Sequence, residues 1–350
     1  MIRAVVIDDS AYNRVTLTRI LESSGHIQVV ATAVNGEDGI KQVLRHGPDL
    51  ITLDLEMPVM DGFAFLRWLM ANRPTPVIAV SSRSSDRSVF KALELGAVDF
   101  IAKPGGRVSS RLEEIQRDLI EKALEITKAE LNNVTRRIQE ATPVGLKPEE
   151  LGGEAGHVDL VVIGASTGGP PALQTMFNTE AVLPVPFVIA QHMPATFTRL
   201  FAERVNRLSR YEVREAEDGQ RLRPGWVYVA PGGQQTRVGR DRKGMRLEVA
   251  DRKVTDLYAP SVNDLFRSAS EACEDRLLAV VLTGMGDDGA TAMKGVRDAG
   301  GRTIAESADT AIIFGMPAEA IRAGGVEFVL PLHEIPGVIQ SIFLGKERPN

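Results

Sequence analysis

The sequence predicts an α/β protein of two doubly wound domains with mainly parallel sheets, the second carrying an antiparallel insertion. Three observations carry this reading. Short apolar runs alternate with helical patterns up to about residue 125. The same alternation resumes near Val158. Between them stands a stretch rich in Pro, Gly and charge, "EATPVGLKPEELGGEAGH". These shifts divide the chain into a first domain at 1–125, a linker at 126–156 and a second domain at 157–345.

In the first domain the apolar runs are "AVVID", "QVVATA", "LITLDL", "PVIAVSS" and "DFIAKP". Five such runs with helices between them predict a parallel sheet wrapped on both faces. Ser110 and Glu113 form a capping-box pattern. Leu112, Ile115, Leu119, Ala123 and Ile126 then recur at helical spacing, which predicts a closing helix. The second domain has apolar runs at 159–163, 186–191, 277–283, 302–305 and 326–330. Between them, "GWVYVAPGGQQTRVGRDRKGMRLEVA" reads as strands joined by Gly turns, the antiparallel insertion.

Bulk properties narrow the function. A net charge of -5 over 350 residues argues against nucleic acid as the main partner. The single cysteine, Cys273, permits no internal disulfide, and no zinc spacing exists, which fits a reducing cytosol. Its setting, "SASEACEDRL", is a helical pattern in which a cysteine fills core. The N-terminal "MIRAVVIDDS" enters a strand pattern directly, with no signal peptide. No apolar run approaches the ~20 residues of a membrane span. The expected setting is cytoplasmic and not membrane-embedded.

Charged and hydroxyl residues gather at the ends of the first domain's strands. Asp8 and Asp9 end the first, Asp54 the third, Ser81 the fourth and Lys103 the fifth. In a doubly wound sheet these ends face one crevice. Three carboxylates make an oxygen-rich site suited to Mg²⁺. A hydroxyl and an ammonium on the same rim can hold a phosphoryl group carried by one of them. Each residue alone could simply cap the helix that follows. Five at successive strand ends favour the site.

In the second domain the informative stretch is "VVIGASTGGPPAL", residues 161 to 173. "GASTG" matches G-x-S-x-G, follows a strand pattern and precedes a helix starting near Pro170. Backbone N–H groups at such a helix start can stabilise an oxyanion or bind a phosphate. The stretch fits neither the P-loop nor a good dinucleotide fingerprint, and no Lys lies near it. The turn alone does not choose between nucleophile and phosphate cradle.

A nucleophilic serine needs a base and an orienting acid. His157 lies in the linker and His333 near the end of the chain, whereas His192 follows the apolar "PFVIAQ" directly. It therefore emerges at the same sheet edge as Ser166. "LLAVVLTGMGDDGATAM" offers Asp287 and Asp288 after another strand pattern, though aspartates there could also cap a helix.

These motifs carry two resemblances. "VVIDDSAYNR", "LITLDLEMPVMDG", "VIAVSS" and "GAVDFIAKP" resemble a response-regulator receiver domain, which is flavodoxin-like. The resemblance implies that Asp54 accepts a phosphoryl group from a histidine kinase. It implies Mg²⁺ held by Asp8, Asp9, Asp54 and the backbone carbonyl of Glu56. Ser81 and Lys103 would contact the phosphoryl group, and Phe100 would be the aromatic that reports the state.

"IGASTGGPPAL", "QHMPATFTRLFAERV" and "VVLTGMGDDGA" resemble the catalytic domain of the chemotaxis protein-glutamate methylesterases, which join a receiver to this domain in the same order. Carried over by position, Ser166 is the nucleophile, His192 the base and Asp288 the orienting acid. Thr167 and the backbone N–H of Met285 would serve the oxyanion. Asp287 is then left to cap the helix that follows. The implied activity is hydrolysis of glutamate γ-methyl esters, and deamidation of glutamines, on the cytoplasmic helices of a chemoreceptor. No cofactor is implied for the esterase domain. The unphosphorylated receiver would lie over the esterase site. The sequence departs from the family where Gln235 replaces a usual histidine, and at Ala259 and Asn263, all outside the triad. These departures leave a second reading, a catalytically silent, phosphorylation-gated receptor-binding module.

Overall fold

The computed structural model describes residues 1–81, 86–103, 109–128 and 158–344. It divides into two compact units, Met1–Glu140 and Ala141–Asn350.

The first unit alternates strand and helix without exception among the described residues: β1 (Ile2–Ile7), α1 (Ala11–Glu22), β2 (Ile27–Ala33), α2 (Gly36–His46), β3 (Leu50–Asp54), α3 (Gly62–Asn72), β4 (Val77–Ser81), α4 (Asp86–Glu94), β5 (Asp99–Ala102) and α5 (Ser109–Lys128). The sheet is parallel, in the order β2-β1-β3-β4-β5. β3 and β4 are buried along their whole length, as expected of strands covered by helices on both faces. The helix starts are fixed locally. Ser10, Asn35 and Asp61 each accept a bond from a backbone N–H one turn on, and Gly47 ends α2 at φ 52°. Helix α5 already includes Ser109, so Ser110 stands inside the helix and not at its cap.

The second unit holds β6 (Leu160–Ala165), α6 (Gly169–Phe177), β7 (Phe187–Gln191), α7 (Ala195–Leu208), β8 (Glu212–Glu215), β9 (Trp226–Val229), β10 (Gln234–Asp241), β11 (Gly244–Asp251), α8 (Val262–Cys273), β12 (Leu277–Val281), α9 (Ala290–Asp298), β13 (Arg302–Glu306), α10 (Met316–Arg322), β14 (Phe328–Leu330) and α11 (Ile335–Leu344). Seven strands form one parallel sheet in the order β14-β13-β12-β6-β7-β9-β8. One face is filled by Leu160, Val162 and Val188 against Leu265, Phe266 and Ala269 of α8. Elsewhere in the unit Phe177, Phe187 and Tyr211 meet edge to face with ring centres 5.4–5.5 Å apart.

The antiparallel insertion is smaller than the sequence pattern implies. β10 and β11 form the antiparallel hairpin, but β9 joins the parallel sheet between β7 and β8. The Gly turn after β9 separates two sheets instead of joining partners in one. The hairpin is tied to α8 by the Arg237–Asp264 ion pair and by Val238 N–H donating to Ser268 Oγ.

Candidate active site

The strand order of the second unit reverses at β6, with β7 on one side and β12 on the other. Such a switch point opens a crevice at the carboxyl ends of the strands. Ser166 follows β6 and His192 follows β7. Ala165 and Gln191 are direct register partners, and His192 N–H donates to the Ala165 carbonyl at 3.0 Å. On the other side Ser166 N–H donates to the Thr283 carbonyl at 3.0 Å. Residues far apart in sequence are thus neighbours because their strands are.

The glycines of the turn have separate reasons. A Cβ on Gly164 would stand 2.3 Å from Val262 Cγ1, so this position lets α8 lie against the strand. Gly168 has φ +77°, where a side chain is strained. Gln191 closes the turn from the next strand, donating through Nε2 to the carbonyls of Ser166 and His192, both at 3.0 Å. The N–H groups of Ser166 and Gly169 are engaged within the protein, which weakens the phosphate-cradle reading of the turn.

His192 Nε2 lies 2.9 Å from Asp288 Oδ2. Asp288 is 1% exposed. It also accepts bonds from Ser261 Oγ at 3.1 Å, Val262 N–H at 2.7 Å and Asn263 N–H at 2.9 Å. Burial pushes its pKa up. The hydrogen bond and charge of His192 and the two N–H bonds outweigh burial and hold the carboxyl below its ordinary value. Asp288 therefore has two jobs, one at His192 and one at the first turn of α8. The Ser166 hydroxyl has no hydrogen-bond partner among the described residues, so the structure bonds His192 to Asp288 and places Ser166 beside them.

Thr167 is buried, and its carbonyl accepts from Thr283 Oγ1 at 2.9 Å. Met285 follows Gly284, where a Cβ would stand 2.8 Å from Ser166 Cβ. The oxyanion candidates therefore flank the serine on two loops. Asp287 does not cap α9. That helix starts at Ala290, its N-cap Gly289 has φ 98° and offers no side-chain cap, and Asp287 contributes its backbone carbonyl to Ala290 N–H. The side chain is exposed. Asp287→Asn should accordingly leave turnover and melting temperature near wild type, checked by paired hydrolysis assays and melts. Sequence reading missed Tyr258, whose ring stacks on His192. Nothing in "DLYAPS" signals a contact that depends on how a loop folds back.

In the first unit the strand ends converge as expected. Carboxylate oxygens of Asp8, Asp9 and Asp54 lie within 4.8 Å of one another. Lys103 Nζ stands 2.6 Å from Asp54 Oδ2 and 3.5 Å from Asp8 Oδ2. Burial raises the pKa of Asp54. Its bond to Lys103 opposes this, the like charge of Asp8 adds to it, and the 3.2 Å bond from Glu56 N–H opposes it. Ser81 is buried at the end of β4, and its carbonyl accepts from Lys103 N–H at 2.7 Å. Phe100 is buried in β5 with its ring edge on Phe90. An all-oxygen set with crowded like charge is chemically suited to a small divalent cation.

Residues 161–339 match the CheB methylesterase family and residues 4–116 match the response regulator receiver domain. The chain is 45% identical to a protein-glutamate methylesterase/protein-glutamine glutaminase of Geobacter sulfurreducens, covering 95% of this chain and 94% of that one. It is also 45% identical to one of Myxococcus xanthus, covering 98% and 97%. Among solved structures it resembles the Thermotoga maritima CheB methylesterase catalytic domain, with a TM-score of 0.51, 36% identity, and coverage of 53% of this chain and 98% of that one. Matched by that family's model over 161–339 and by these relatives over nearly its whole length, the chain belongs to the CheB methylesterase family.

Proposed function

We propose that this chain hydrolyses glutamate γ-methyl esters, and deamidates glutamines, on the cytoplasmic helices of a chemoreceptor, under control of phosphorylation at Asp54. The observation that carries the reading is the 2.9 Å bond from His192 to Asp288, formed beside the strand that delivers Ser166. Ser166 Oγ attacks the γ-carbonyl while His192 takes its proton. Because Nε2 is held by Asp288, Nδ1 is the ring nitrogen that does so. The tetrahedral oxyanion falls to Thr167 and the Met285 N–H. Collapse breaks the C–O bond, and the proton on His192 leaves with methanol. Water then attacks the acyl-serine, giving its proton to His192, and the carboxylate departs as Ser166 regains a proton. Deamidation is the same acyl transfer with ammonia leaving.

In the receiver, Asp8, Asp9, Asp54 and the carbonyl of Glu56 would hold Mg²⁺, which neutralises charge on the incoming phosphoryl group. Lys103 and Ser81 would contact that group once it is on Asp54. The partners are a histidine kinase and a methyl-accepting receptor, and the setting is cytoplasmic. No helix among the described residues is long and apolar enough to cross a membrane.

The test is incubation of the full-length chain with a methylated receptor fragment, followed by mass spectrometry. Loss of methyl groups is expected. Intact esters after prolonged incubation, with a phosphodonor and Mg²⁺ present, would leave the silent binding module standing instead. The same assay reads regulation: a small phosphodonor with Mg²⁺ should speed demethylation by the wild type and leave the rate of Asp54→Asn unaltered. An equal response in the variant would remove Asp54 from the phosphoacceptor role.

A further inference from the structure

We infer that Tyr258 is a positioning residue for His192, fixing the plane of the imidazole while Asp288 fixes which nitrogen faces the nucleophile. The inference rests on the reading of His192 as the base. The two rings lie 4.6 Å apart, centre to centre, at an interplanar angle of 4°. A single hydrogen bond at Nε2 restrains one corner of the imidazole and leaves the opposite edge free to swing. A ring laid flat against one face removes that freedom and keeps Nδ1 at one position.

Tyr258 is itself held. Its carbonyl accepts from Gln235 Nε2 at 2.7 Å, and the same amide group donates to Asp256 Oδ2 at 3.1 Å. Gln235 Oε1 accepts from Ser261 N–H at 2.9 Å, and Ser261 Oγ donates to Asp288 at 3.1 Å. One buried side chain thus ties the loop from Asp256 to Ser261 at three points, and that loop touches both the base and its acid. The far end of Tyr258 reaches the third component. A Cβ on Gly286 would stand 2.8 Å from Tyr258 Oη, so the ring also abuts the loop carrying Gly284 and Met285. Gln235, one of the departures noted in the sequence, braces this arrangement and leaves the His192–Asp288 bond intact.

The experiment compares full-length wild type with Tyr258→Phe and Tyr258→Leu. A fluorophosphonate probe gives the maximal labelling rate of Ser166 and the probe's binding constant separately. Histidine-labelled ¹⁵N spectra, assigned with a His192→Gln variant, read through the width and relaxation of the signals how firmly the His192 ring is held, without any catalysis. Tyr258→Leu keeps apolar bulk but loses the flat face. It should label roughly three- to tenfold more slowly, with probe binding and melting temperature unchanged and with exchange-broadened ring signals that keep the wild-type tautomer. Tyr258→Phe should match wild type in both readouts. A Tyr258→Leu chain with wild-type rate and spectrum overturns the inference, as does a Tyr258→Phe chain as impaired as Tyr258→Leu. Failure of the wild type to label would count against Ser166 and His192 as a catalytic pair, and the ring spectra would still decide whether Tyr258 holds the imidazole.

Discussion

Asp288→Asn is expected to lower turnover by up to ~10⁴-fold and, unlike most triad substitutions, to lower the melting temperature as well. The kinetic part follows from proton placement. A carboxylate at Asp288 accepts from His192 Nε2, which keeps Nδ1 without a proton and ready to take one. An amide can donate at that place, which favours the tautomer with its proton on Nδ1. The stability part follows from the other three bonds, from Ser261 Oγ and the N–H groups of Val262 and Asn263. One amide oxygen cannot serve them all, and losing a charge-assisted bond costs about 1.5–3 kcal/mol. From sequence alone, the tie to α8 is invisible and the substitution looks neutral for folding. The pH dependence has a definite sign. The folded-state pKa of Asp288 is depressed, so its contribution is full above the ordinary carboxylate pKa and is lost as pH falls through the depressed value. The gap in melting temperature between wild type and variant should therefore narrow in acid. Equal melts at neutral pH would mean that the cap contributes nothing, and unchanged single-turnover hydrolysis would mean that His192 works without its acid.

Ser166→Ala should show the complementary pattern, with turnover down about 10⁶-fold and melting temperature unchanged. The hydroxyl has no hydrogen-bond partner among the described residues. The backbone contacts of the position, from its N–H to Thr283 and from Gln191 to its carbonyl, survive the substitution. A serine-directed fluorophosphonate should label the wild type and not the variant. Near-normal hydrolysis by Ser166→Ala would remove the serine from the nucleophile role. Side by side, the two variants separate a residue that acts only in the reaction from one that also holds the fold.

The parts of this protein that were legible in sequence are those where function sits at the end of a strand. Asp8, Asp54 and Lys103 end or follow three apolar runs, and a parallel sheet leaves such residues one place to meet. Ser166 and His192 were legible for the same reason, since β6 and β7 are consecutive strands. Asp288 could be placed near them but not assigned its second task, because the α8 turn it caps lies 25 to 27 positions earlier and the contact depends on how that helix crosses the sheet. The cap expected of Asp287 failed because Gly289, in a left-handed conformation, already turns the chain into α9. β8 was unreadable: "EVRE" has three charged residues in four, as an edge strand can, and shows no apolar run. β9 misled for a different reason. A Gly turn is the usual mark of a hairpin, and sequence does not show that the strand ahead of it has already found parallel partners on both sides.

Cys273 closes α8 at the end away from Asp288, 1% exposed, with its sulfur 3.3 Å from Met245 Sδ on the hairpin. Burial drives its thiol up to about 11, so at neutral pH roughly one molecule in ten thousand carries the reactive thiolate. Since it is the chain's one cysteine, a thiol-reactive dye meets a molecule that is dark in its native state. Dye uptake can begin only when the helix lifts from its bed, and with dye in excess, so that reaction outpaces reclosing, its rate counts those excursions. The protein thus carries its own opening clock, set on the same helix whose first turn the triad acid ties down.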